Sequence, residues 1–121
     1  KKGINFLVIN FANADMVGHT ANKKAIVQAV EKVDTELKRI IDALQISGGV
    51  ALITADHGNA EINIDPITGE KHTAHTLSQV PAILTKKNVS LHSGALADIA
   101  PTILALYDIP IPKEMTGKKL F

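Results

Sequence analysis

Apolar side chains recur in steps of three and four at Ile26, Val30, Val33, Leu37, Ile40 and Leu44, so residues 23–46 are predicted to form one long amphipathic helix. Asn22 stands where an N-cap belongs, and Gly48-Gly49 supplies the stop. Short apolar runs rich in β-branched residues flank this helix at 4–9 and 50–54, the pattern of strands buried on both faces of a sheet. Strand, helix and strand in that order make a βαβ unit, whose crossover renders its two strands parallel. The predicted class is therefore α/β.

The rest of the chain fits around that unit. Residues 10–20 are polar and predicted to be a loop. Residues 55–79 form a long polar excursion, in which Asp65-Pro66-Ile67-Thr68-Gly69 is turn chemistry suited to a small hairpin. Residues 80–85 read as a third strand, with Pro81 near its start where a missing donor is tolerated. Asp98 is predicted to cap a helix running to about Tyr107, with Pro101 in its first turn. The tail from 109, carrying Pro110 and Pro112, is expected to be extended or looped, and the 121 residues to form a single unit.

Composition narrows the function classes. Hydrophobic residues at 45% and a mean hydropathy of +0.13 exclude a disordered chain. No apolar run approaches the ~18 residues of a membrane span. A net charge of +1 and 3% aromatics speak against nucleic acid or an anionic membrane as partner. With no cysteine, any metal must be held by nitrogen and oxygen. The lack of cysteine is also compatible with a reducing cytoplasm, where we expect the protein, and the opening Lys1-Lys2-Gly3, without initiator methionine, leads us to expect a piece of a longer chain.

Chemistry concentrates in three segments. Parallel strands would bring the loops at their carboxyl ends to one sheet edge, where α/β sheets bind ligands. The loop after the first strand holds Asp15 and His19, and the loop after the second holds Asp56 and His57. His72-Thr73-Ala74-His75-Thr76 precedes the third strand. Imidazole and carboxylate together are the ligand set for Zn²⁺, Mn²⁺ or Fe²⁺ in hydrolytic and phosphoryl-transfer sites.

Asn13-Ala14-Asp15-Met16-Val17-Gly18-His19-Thr20, then Thr54-Ala55-Asp56-His57-Gly58-Asn59-Ala60-Glu61, then His72-Thr73-Ala74-His75-Thr76 closely resemble, in order and spacing, the metal motifs of the cofactor-independent phosphoglycerate mutases. Glu114-Met115-Thr116-Gly117-Lys118 resembles that family's carboxyl terminus. The resemblance implies an alkaline-phosphatase-like, mostly parallel sheet with flanking helices, present as a partial domain. Residues 1–121 would be the C-terminal part of the metal-binding phosphatase domain, without the upstream nucleophile segment and the inserted transferase domain. The implied activity is interconversion of 2- and 3-phosphoglycerate through a phosphoserine at two Mn²⁺ ions, with Zn²⁺ or Co²⁺ as alternatives. By the same resemblance Asp15, His19 and His75 hold one ion. Asp56 and His57 hold the second, with an aspartate and the nucleophilic serine that are not in this chain.

Several details bear on that expectation. No catalytic nucleophile is assigned, because Ser47, Ser78, Ser90 and Ser93 lie outside the metal motifs, and the chain alone is expected to be inactive. Ala14 and Ala21 stand where the family more often has proline and glycine. His72 is left as a neighbour of the site or a solvated residue, and His92 as a surface residue. Phosphopentomutase and the sulfatase-like hydrolases are rivals within the superfamily; the former usually carries Thr-Arg-Glu after the last metal histidine, where this chain has Thr76-Leu77-Ser78. A stand-alone metal-binding module is the rival from another class. Sheet edges left uncovered are expected to favour self-association.

Overall fold

The computed structural model describes residues 3–121; Lys1 and Lys2 lie outside the described residues. The elements in chain order are α1 (Asn13–Gly18), α2 (Lys23–Ile46), β1 (Leu52–Thr54), β2 (Ala82–Leu84), a 3-10 turn (Leu96–Asp98) and α3 (Ile99–Leu106). They fall in two compact units, Lys1–Ile40 with Gly58–Ser78, and Ile41–His57 with Gln79–Phe121. Helix α2 begins in the first and ends in the second.

Helix α2 has the limits that its punctuation predicts. Asn22 Oδ1 accepts the Ala25 N–H at 3.2 Å. At the other end Gly48 N–H bonds Gln45 O at 3.2 Å and Gly49 N–H bonds Leu44 O at 2.8 Å, with Gly48 at φ 71°. These paired bonds satisfy carbonyls that the last turn leaves open. Along the stripe Ile26 is buried and Val33, Leu37, Ile40 and Leu44 are half-buried, while Val30, at the stripe's edge, is exposed.

In the first unit, residues 4–9 do not form the predicted strand. Ile4, Leu7 and Val8 remain exposed there. A β-branched run has no hydrogen bonds of its own to close and becomes a strand only beside a neighbour, so the pattern marks a segment suited to a sheet and does not create one. The predicted loop at 10–20 instead contains α1, begun by Met16 N–H to Ala12 O at 2.9 Å and carried on by His19 N–H to Asp15 O at 3.2 Å. Helical spacing of four thereby sets Asp15 and His19 on one face. The turn at 65–69 forms as expected. Asp65 Oδ1 accepts the N–H groups of Ile67 and Thr68, Gly69 has φ 74°, and Ile64 and Lys71 form an antiparallel bridge.

The second unit carries the sheet found among the described residues, and it is antiparallel where a mostly parallel one was expected. Leu52, Ile53 and Thr54 pair with Leu84, Ile83 and Ala82. The long excursion between β1 and β2 contains no crossover helix, the element that parallel neighbours need. Pro81 stands just outside the ladder, where its missing N–H costs no bond.

Asp98 sits at the N-cap of α3, but its side chain does not cap that helix. Its backbone, at φ −85° and ψ −12°, is helical where a capping residue is extended, and the third helical residue, Pro101, has no N–H to offer; the carboxylate turns elsewhere. Its oxygens accept Ala95 N–H at 2.8 Å and Lys118 N–H at 2.9 Å. These bonds, Ala95 first, hold its pKa below the ordinary 3.8. Thr102, fully buried, donates its hydroxyl to Asp98 O at 2.7 Å and accepts Leu120 N–H at 3.0 Å, while Leu120 O accepts His92 N–H at 2.7 Å. The tail, extended as expected, is thus stitched onto the start of α3.

The depressed pKa fixes a sign. Asp98 contributes stability that is fully present above the unfolded carboxylate's 3.8 and lost as pH falls through the lower folded value. The stability gap between the wild type and Asp98→Asn, followed by circular dichroism during denaturant unfolding, should therefore narrow on acidification. A gap that stays constant from about pH 7 to about pH 2 would refute this role.

Candidate metal centre

Three of the residues singled out in the sequence converge within the first unit. His19 Nε2 and His75 Nε2 each lie 3.2 Å from Asp15 Oδ1, and the two imidazole centroids are 5.0 Å apart at 46°. Asp15 and His19 come from α1 and its last turn. His75 comes from the excursion, held in register where Thr76 N–H bonds Gly58 O at 2.8 Å. Side-chain exposures of 38% for Asp15, 43% for His19 and 49% for His75 leave the cluster open to solvent, so an ion can enter without unfolding.

Hydrogen bonds orient these side chains. His19 Nδ1 lies 2.6 Å from Thr73 O, and only a protonated Nδ1 can donate to a carbonyl. The neutral ring then keeps its lone pair on Nε2, the nitrogen facing Asp15, which is the tautomer a metal ligand requires. Donor atoms about 2.0–2.2 Å from one ion sit roughly 3 Å apart or slightly more, and a spacing of 3.2 Å agrees with that. Each imidazole thus stands at a ligating distance from Asp15, and imidazole with carboxylate is a donor chemistry suited to a divalent cation.

Asn59 has no role in the sequence reading, although it lies inside a quoted motif. It is 5% exposed, and its Nδ2 donates to Asp15 Oδ1 at 2.7 Å and to Asp15 O at 3.3 Å. The amide packs so closely on Gly18 that a Cβ there would come within 2.7 Å of Asn59 Cγ. Nothing in the spacing announces this contact, because Asn59 and Asp15 are 44 residues apart. Glu61 is a second residue found only in the structure. Its Oε2 accepts Asn59 N–H at 2.7 Å and its Oε1 accepts the Thr76 hydroxyl. The Thr76 bond is the largest of the causes that pull its pKa down to about 2.

Asp56 and His57 lie just past β1 in the second unit, with His57 Nε2 at 3.7 Å from Asp56 Oδ1; Asp56 is largely exposed and His57 half-buried. His72 is half-buried with no partner found for its Nδ1, and its N–H bonds Asn63 O. His92 is exposed, as expected. Ala21 sits at φ 48°, in the left-handed region where a Cβ is strained. That geometry explains why glycine suits this position better.

A carboxylate flanked by two imidazoles, one of them held in the ligating tautomer, belongs to a metal-dependent class of protein. The chain is a member of the Metalloenzyme superfamily, whose family model matches residues 1–111. Among named proteins, it is 51% identical over 120 residues to the 2,3-bisphosphoglycerate-independent phosphoglycerate mutase of Cereibacter sphaeroides (strain ATCC 17029 / ATH 2.4.9), covering 98% of this chain and 24% of the relative. Enzymes of the same name from Rhodopseudomonas palustris and Agrobacterium fabrum are 53% and 50% identical, over 96% and 98% of this chain and 23% and 24% of theirs. The chain thus spans about a quarter of the length of the curated relatives it matches. The resemblance read from the motifs is borne out.

Proposed function

We propose that this chain is the C-terminal, metal-holding part of the alkaline-phosphatase-like domain of a cofactor-independent phosphoglycerate mutase. The convergence of His19 Nε2 and His75 Nε2 on Asp15 Oδ1 carries the reading, and the names of relatives about half identical to it support the substrate. Asp15, His19 and His75 would hold one divalent ion, with Mn²⁺ as our assignment. Asp56 and His57 would contribute to a second, completed by an aspartate and a nucleophilic serine from outside these residues. Ions in such sites act as Lewis acids on the transferring phosphoryl group.

The chain's own part is orientation. The Thr73 carbonyl fixes the His19 tautomer, and Asn59 turns the Asp15 carboxylate toward the histidines. The mostly parallel sheet and the cytoplasmic setting belong to the same proposal for the complete enzyme.

The test has two arms. In an enzyme that carries this segment, conversion of 3-phosphoglycerate to 2-phosphoglycerate should stop on chelation and return with Mn²⁺. The 121-residue chain alone, incubated with 3-phosphoglycerate and Mn²⁺, should show no added phosphoryl group by mass spectrometry. Activity indifferent to chelation overturns the metal reading; a stoichiometric adduct on Ser47, Ser78, Ser90 or Ser93 means that the nucleophile lies here.

A further inference from the structure

Resting on that metal-centre reading, we propose that Glu61 is a positioning residue: its carboxylate ties the loop bearing Asn59 to the segment bearing His75 and so holds the His75 ring against Asp15. One carboxylate oxygen takes the Asn59 N–H and the other takes the Thr76 hydroxyl. Both oxygens thus face protein donors, which suits a bridge better than a fourth ligand.

The contacts close into a circuit. The side chain of Asn59 reaches Asp15, its backbone N–H reaches Glu61, Glu61 reaches Thr76, and Thr76 is bonded in sequence to His75, whose Nε2 returns to Asp15 at 3.2 Å. Gly58 makes room for the bridge, since a Cβ there would collide with both Thr76 Oγ1 and Glu61 Oε1. Charge matters as well as length. Hydrogen bonds to an ionised acceptor are roughly twice as strong as neutral ones, and a glutamine at 61 would turn its amide nitrogen toward one of two donors.

The experiment uses Zn²⁺ as the probe, titrated calorimetrically into the full 121-residue chain at constant pH, together with the ring resonances of His75 and His92 in the metal-free chain. Glu61→Gln should weaken Zn²⁺ binding about tenfold, the lower end of what loss of a supporting partner costs. It should also shift the His75 ring signals while leaving those of His92 in place. Thr76→Val should reproduce both effects and Thr76→Ser should rescue them. The double variant Glu61→Gln/Thr76→Val should bind no worse than either single one, because each breaks the same bridge.

Wild-type affinity and unshifted His75 signals in Glu61→Gln would overturn the proposal, as would additive losses in the double variant. If Glu61→Gln does not fold, the Thr76 pair decides: equal affinities for the serine and valine variants would reject the bridge. Failure of the wild type to bind Zn²⁺ would instead overturn the metal reading, and the ring signals would still report on the bridge.

Discussion

Asp15→Ala should weaken divalent-ion binding by the chain on the order of a hundredfold or more, a larger loss than that of any supporting group, because both imidazoles converge on the carboxylate it removes. His75→Ala should do nearly as much harm, whereas His92→Ala should leave the titration unchanged. Zn²⁺ should bind more tightly than Mn²⁺, as its intrinsic affinity for nitrogen and oxygen donors is higher. We expect one ion per chain by calorimetry, since Asp56 and His57 alone offer an incomplete second ligand set. Two tight ions would refute that count, and equal effects of the His75 and His92 substitutions would refute the ligand assignment.

The second large effect concerns the tail. Leu120 is 4% exposed, its N–H bonds the buried Thr102 hydroxyl and its carbonyl accepts the His92 N–H. Leu120→Ala removes a buried isobutyl group and should cost about 2–4 kcal/mol of stability in chemical denaturation. The His92 amide should at the same time lose its protection against hydrogen exchange. A variant as stable as the wild type, with that amide still protected, would show that the tail is not part of the fold's framework.

What the sequence conveyed follows from where each signal is local. Asn22, the stripe from Ile26 to Leu44 and Gly48-Gly49 act within a turn or two of themselves, and α2 begins and ends where they put it. The turn at Asp65 is equally self-contained. The run at 4–9 could not be read in the same way, because ladder bonds come from another segment. Asp98 misled for a subtler reason: its position is that of a cap, but its own backbone is already helical and one of the two donors a cap can satisfy is missing from Pro101. At the site, Asp15, His19 and His75 were legible as residue types in a recognisable order. Asn59 and Glu61 were not, since their work depends on neighbours brought up by the chain's return.

The bond from His19 Nδ1 to the Thr73 carbonyl also bears on how fast an ion is captured. A histidine free to spin must be caught in one of several rotamers and in one of two tautomers before it can ligate. Here folding has already made both selections, so the orientational entropy of that ring is lost before an ion arrives. Entry of the metal then waits on the ion shedding its own water, and capture rates across different divalent cations should follow the order of their water-exchange rates instead of converging on a common value set by motion of the protein.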